Sequence, residues 1–129
     1  MSTIFKKIID GEIPCYKVAE NDRFLAFLDI QPLVKGHVLV IPKLEIDYIF
    51  DLDDSLLSDL ICFSKQVAAK MKLHLTCKKI GMTVIGLEVP HAHVHLIPIN
   101  TINDMNFSNP KLVLDSAEMI DIANKLFSA

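Results

Sequence analysis

His91-Ala92-His93-Val94-His95-Leu96-Ile97 sets an imidazole and an apolar side chain in strict alternation through His95. That is the pattern of a strand with one functional and one buried face, because successive side chains point to opposite sides. His91, His93 and His95 therefore share a face. Ala92, Val94 and Leu96 share the other and can pack into a core. Same-face neighbours lie about 6.6 Å apart along a strand, so three imidazoles in this row can work on one small ligand. Imidazole titrates near pH ~6.5 and can serve as nucleophile, base or acid near neutrality. Three on one face repel once charged, which favours at least one remaining neutral. A neutral imidazole can attack phosphorus, while a protonated neighbour stabilises phosphate charge or protonates a leaving group. One short segment thus supplies the parts for nucleotidyl transfer.

Two other readings compete. The row could be satisfied core histidines, but three of the chain's five histidines at period two within five residues weigh against it. It could also be a zinc site of three imidazoles and a water. Zinc would require all three rings to converge to within about 2.1 Å of one point, which a straight strand does not easily do alone.

Outward from this segment, the chain reads as an ordered series of elements. Ile4 to Ile9 predicts a short helix, closed by Asp10-Gly11 and then Pro14. Tyr16 to Glu20 and Arg23 to Ile30 read as strands joined by an Asn21-Asp22 turn, and Gly36 opens a third, His37 to Ile41, ended by Pro42. Asp53-Asp54 suits the positive end of a helix dipole. Leu56, Leu60, Phe63, Val67 and Met71 follow at spacings of three and four, widened by Leu57, Ile61 and Ala68 to a face that can cover a sheet. Two strands come next, Lys79 to Ile85 and Val89 to Pro98, joined by Gly86-Leu87-Glu88. After a polar stretch to about Pro110, Ser116 is placed to cap a final helix, Ala117 to Phe127. Strands cluster instead of alternating with helices, which argues an α+β fold with a mostly antiparallel five-stranded sheet, one long helix and short terminal helices. Residues 1–129 read as a single domain, its core roughly 3–110 and a helical tail over 111–129. A five-stranded sheet leaves an edge to manage, and pairing with a second copy is one solution.

Composition narrows the partners. A chain of 129 residues, 51% hydrophobic and 22% charged, is an ordinary globular protein. The net charge of -3 and scattered basic residues argue against a nucleic-acid partner. No apolar run reaches the ~20 residues that span a bilayer, and the N-terminus has no signal-peptide pattern, so no membrane association is expected. Cys15, Cys62 and Cys77 form no CxxC pair, which fits a reducing cytoplasm and neither a disulfide framework nor a thiolate metal site.

The triad segment also resembles the His-φ-His-φ-His-φ-φ signature of the histidine triad (HIT) family, where φ is apolar. The match extends over roughly residues 3–110. Ile4 to Pro14 resembles the family's opening helix, Phe27-Leu28-Asp29-Ile30 its ribose-binding strand end, and Lys35 to Lys43 its central strand. The nearest branch is that of the histidine triad nucleotide-binding proteins, also called protein kinase C interacting proteins. The resemblance implies a homodimer whose two sheets join, a purine nucleotide substrate of AMP or GMP type, no cofactor and no metal. It implies hydrolysis of nucleoside 5'-phosphoramidates or related conjugates through a nucleotidyl-histidine intermediate. It assigns attack to His93, orientation of that ring to His91, and phosphate contact and leaving-group assistance to His95. Asp29 would accept from ribose hydroxyls. Phe5, Ile8, Phe27 and Ile30 would shape the base pocket, and Gly86 and Glu88 would lie beside the substrate in the connection before the triad. Dinucleoside polyphosphate hydrolysis and nucleotide-dependent regulation with little turnover are the alternatives.

Departures from the family pattern bear on the rate and the substrate. Glu45 stands where a fourth histidine is frequent. Val84 to Glu88 is short and lacks an Asn, and Leu87 and Glu88 replace a common Gln and Ser. Thr3 and Lys6 stand where some members carry the CxxC of a zinc site. His37 corresponds to a family histidine but is read as structural from its period-two neighbours Leu39 and Ile41, and His74 as a surface residue.

Overall fold

The first turn of the chain is nucleated by Thr3, whose hydroxyl accepts from the Lys6 N–H at 3.0 Å and starts helix α1, Ile4–Ile9. The computed structural model describes residues 3–127, so the first and last two positions of the expected 1–129 domain lie outside the described residues. Strands β1 (Lys17–Glu20), β2 (Phe24–Leu28) and β3 (Val38–Pro42) follow, then the long helix α2 (Asp54–His74), β4 (Lys79–Thr83), β5 (Val94–Ile99) and helix α3 (Ser116–Phe127). Short 3-10 turns occupy Ile49–Asp51 and Ile102–Met105. Five strands form one antiparallel sheet in the order β1-β2-β3-β5-β4, the α+β arrangement expected.

The expected α2 stripe buries at its centre, whereas Ile61, expected on its widened margin, is 38% exposed. Asp53 caps the helix by accepting from the Leu56 N–H at 2.7 Å, and Leu60, Phe63, Val67 and Met71 face the sheet. They meet Phe24, Ala26, Leu28, Val38, Val40, Ala92, Val94 and Leu96. Met119, Ile122, Ala123 and Leu126 of α3 join the same core, so the tail helix seals this face beside α2. The opposite face is thinner. Leu25, Phe27, Leu39 and Ile41 pack there against Phe5, with Ile8 and Ile9 alongside, so α1 is its cover. Every residue of β2 is buried because both its faces are occupied.

Several boundaries differ from the sequence reading. β5 begins at Val94, not Val89. Pro90 has no N–H for a ladder, and the segment before Val94 bonds instead to the loop after β3: Ala92 N–H donates to the Ile46 carbonyl at 2.7 Å. β2 ends at Leu28 and β4 at Thr83, each two residues short of expectation. The cap of α3 is Asp115, whose carboxylate accepts from the Glu118 N–H at 2.8 Å, not Ser116. Gly36, at φ +93, makes the turn that enters β3, and a side chain there would run into Leu75. Among the described residues no helix is long and apolar enough to cross a membrane.

Candidate active site

Although His91 and His93 precede the ladder, alternation persists through them. Ala92, Val94 and Leu96 enter the main core, and the three imidazoles emerge on the thin face. There the Phe5 ring stands edge-on to His91 and His93, with centroids 5.9 and 5.1 Å away, and His93 and His95 lie 4.9 Å apart. All three rings are buried.

Hydrogen bonds to groups of fixed polarity set the tautomers. A carbonyl only accepts, so the 2.7 Å contact between His93 Nδ1 and the His91 carbonyl places a hydrogen on Nδ1. Neutral His93 therefore carries its lone pair on Nε2. By the same logic His91 Nε2–H donates to the Pro42 carbonyl at 2.8 Å, leaving its buried Nδ1 without a partner. A backbone N–H only donates. The Leu33 N–H reaches His37 Nδ1 at 3.1 Å, so the His37 hydrogen sits on Nε2 and is donated to His95 Nδ1 at 2.9 Å. His95 must then present an N–H at Nε2. The row thus combines a lone pair on His93 with a donor on His95.

Burial first, and neighbouring positive charge second, hold the His37 and His95 rings neutral. His37 falls to about 3 and His95 to about 4. His91 is also lowered by burial, opposed by its Pro42 bond and by Glu45, which approaches it electrostatically as an exposed carboxylate. Asp29 is raised by burial, offset by the Gln31 N–H that donates to its Oδ1 at 2.9 Å. Its other oxygen is 3.8 Å from His37 Nε2.

Asp29, His37 and His95 hold potential ligand atoms within 4.8 Å of one another. A cation there would need the His37 Nε2 lone pair. That would force a hydrogen onto Nδ1, directly against the Leu33 N–H, so the donor pattern disfavours a metal at this point.

The expected site residues do not all converge. Phe27 stacks edge-on with Phe5 at 5.6 Å, and Ile8 packs against the same cluster. Ile30 is 67% exposed. Gly86 lines a separate apolar cavity of about 520 Å³ with Tyr48, Ile49 and Ala92, on the Ala92 side of the segment. Glu88 is exposed and acts electrostatically on Asp29. Three contacts were not anticipated. His37 directly bonds a triad ring, which only the β3–β5 register, Leu39 opposite His95, makes evident. Phe107 packs edge-on to His95 at 4.9 Å and lies 6.3 Å from His37. Lys111 donates to the Phe107 carbonyl at 3.1 Å. The last two sit in an aperiodic polar stretch that offers no sequence signal.

Comparison with known proteins gives a consistent picture. The HIT domain family matches residues 10–102. An uncharacterized HIT-like protein of Helicobacter pylori is 40% identical over 97 residues, 73% of this chain and 93% of that protein. The adenosine 5'-monophosphoramidase HNT1 of Saccharomyces cerevisiae is 42% identical over 96 residues, 74% of this chain, which spans 61% of the yeast protein. Among solved structures, a HIT-like protein from Bartonella henselae superposes with a TM-score of 0.84 at 28% identity, covering 98% of this chain and 95% of the other.

Proposed function

The chain belongs to the histidine triad family, and on that premise we propose that it hydrolyses purine nucleoside 5'-phosphoramidates through a nucleotidyl-histidine intermediate. The observation that carries this reading is the fixed tautomer pair, a lone pair on His93 Nε2 beside an N–H on His95 Nε2. In the first step His93 Nε2 attacks the α-phosphorus and the phosphorus–nitrogen bond breaks. The amine leaves with the bonding electron pair and takes a proton from solvent, while His95 Nε2–H donates a hydrogen bond to a phosphate oxygen. The His91 carbonyl, bonded to His93 Nδ1–H, stabilises the positive charge that builds on the ring. In the second step water attacks phosphorus, the His93–phosphorus bond breaks with its pair returning to Nε2, and the proton lost by the water passes to solvent. One water is consumed, and an amine and a nucleoside monophosphate form. Asp29 receives the ribose hydroxyls, and Phe5, Phe27 and Ile8 wall the base. The relatives named as monophosphoramidases support this substrate class.

The test is incubation of purified protein with an AMP–amine conjugate in the presence of EDTA. AMP release above the uncatalysed rate is expected. Cleavage of a dinucleoside polyphosphate in preference to the conjugate, or tight AMP binding without turnover, would replace this reading by one of its alternatives.

The active form in this proposal is a homodimer joined through β4. Of the two sheet edges, β1 is covered by α3 and bears the Lys17–Glu20–Lys43 charges. Among the described residues no strand pairs with the outer edge of β4, which carries exposed Met82 and runs on to Ile85 and Leu87, grouped with Tyr48 and Phe50 around one apolar cavity. An apolar fringe around an unpaired edge is what a second copy would cover. Light scattering should give twice the chain mass, and Met82→Lys with Ile85→Lys should give a monomer. A monomeric wild type would reject the dimer.

A further inference from the structure

A nucleotide phosphate entering this site meets little positive charge from His95 or from the His37 ring behind it. His37 and His95 are held neutral, and Asp29 and Glu88 contribute negative charge on the same flank. Binding a phosphate anion there requires a cation from elsewhere. Lys6 flanks the other end of the row, near His91, but its ammonium is paired with Asp10 at 3.1 Å.

We propose that Lys111, carried on the strap that follows β5, is the counter-charge for the phosphate of the bound nucleotide. This rests on the hydrolase reading above. The strap is built for that position. The Leu112 N–H donates to the Pro32 carbonyl at 2.8 Å, fastening it to the loop between Asp29 and His37. Phe107 lies against His95 and, more distantly, His37. Lys111 Nζ lies 5.2 Å from the centre of the Phe107 ring and donates to the Phe107 carbonyl. That acceptor is neutral, and among the described residues no carboxylate forms an ion pair with Lys111, so its charge remains available. Its field already reaches the site: it favours the ionised form of Asp29 and disfavours protonation of His37 and His95. The side chain is exposed, so the ammonium can leave its carbonyl and meet a phosphate oxygen.

Calorimetry with AMP and with adenosine separates charge reading from a structural role. Lys111→Met should weaken AMP binding by about tenfold or more, the loss expected for a charge-assisted hydrogen bond, and leave adenosine binding unchanged. Lys111→Arg should restore most of the AMP affinity. The wild-type AMP affinity should fall more steeply with added salt than that of the Met variant. Equal AMP binding by wild type and Lys111→Met overturns the proposal while leaving the hydrolase reading intact. Equal losses for AMP and adenosine also overturn it, because they show that the lysine only holds the strap. A wild type that binds neither ligand removes both readings together.

Discussion

His93→Ala should lower single-turnover hydrolysis of an AMP–amine conjugate by at least about 10³-fold. The variant loses the proposed nucleophile, the Nε2 lone pair that the His91 carbonyl exposes by holding the hydrogen on Nδ1. AMP binding should change far less, because Asp29, Phe5 and Phe27 remain. Melting should shift modestly, since the ring lies at the thin face under α1 and not in the core shared by α2 and α3. A variant that turns over at the wild-type rate would assign the activity to another residue or to a contaminant.

The second large effect is expected from His37→Leu, although His37 need not touch the substrate. Without its Nε2–H, His95 is free to carry the hydrogen on Nδ1 and to turn a lone pair toward the phosphate. Losing the oriented donor to the phosphate should lower turnover by about 10²-fold or more. His37→Gln can still donate to His95 and should fall between. Stability against pH gives a readout that simple loss of packing would not. Both His37 and His95 have folded pKa values, about 3 and about 4, below the ~6.5 of an unfolded histidine. Between those limits the unfolded chain binds protons that the native state refuses. Their contribution is therefore greatest above pH ~6.5 and is lost as pH falls toward 4, at up to about 1.4 kcal/mol per pH unit for each ring. In His37→Leu that slope should be roughly halved. An unchanged slope in denaturant titrations at pH 7, 6, 5 and 4 would show that the native state does not hold His37 neutral.

Much of this arrangement is legible from the sequence because it depends on local periodicity. The alternation across His91–His95 identifies the shared face, and the spacing from Leu60 to Met71 identifies the face of α2 that covers the sheet. The beginning of β5 is not legible. Nothing local reveals that Ala92 bonds to the loop after β3 instead of to a strand. The partnership of His37 and His95 depends on register between strands 58 positions apart, and Leu39 and Ile41 suggest a structural residue there. Phe107 and Lys111 are hidden for another reason. Their stretch has no period, and it is long-range contacts, the tie from Leu112 to Pro32 and the packing of Phe107 on His95, that bring it over the triad. The resemblance to a family supplies roles for motif residues and is silent about a strap that lies outside the motif.

The hydrogen that His95 shows to a substrate is decided two residues away in space, by the amide of Leu33. That amide belongs to the peptide unit, so it does not titrate, and replacing the side chain at position 33 leaves it in place unless the replacement is proline. Part of the hydrogen pattern at the candidate site is therefore inherited through backbone shape. Drift at that position can leave this hydrogen pattern unchanged, and a comparison of side chains alone would miss the group that keeps the hydrogen of His95 on Nε2.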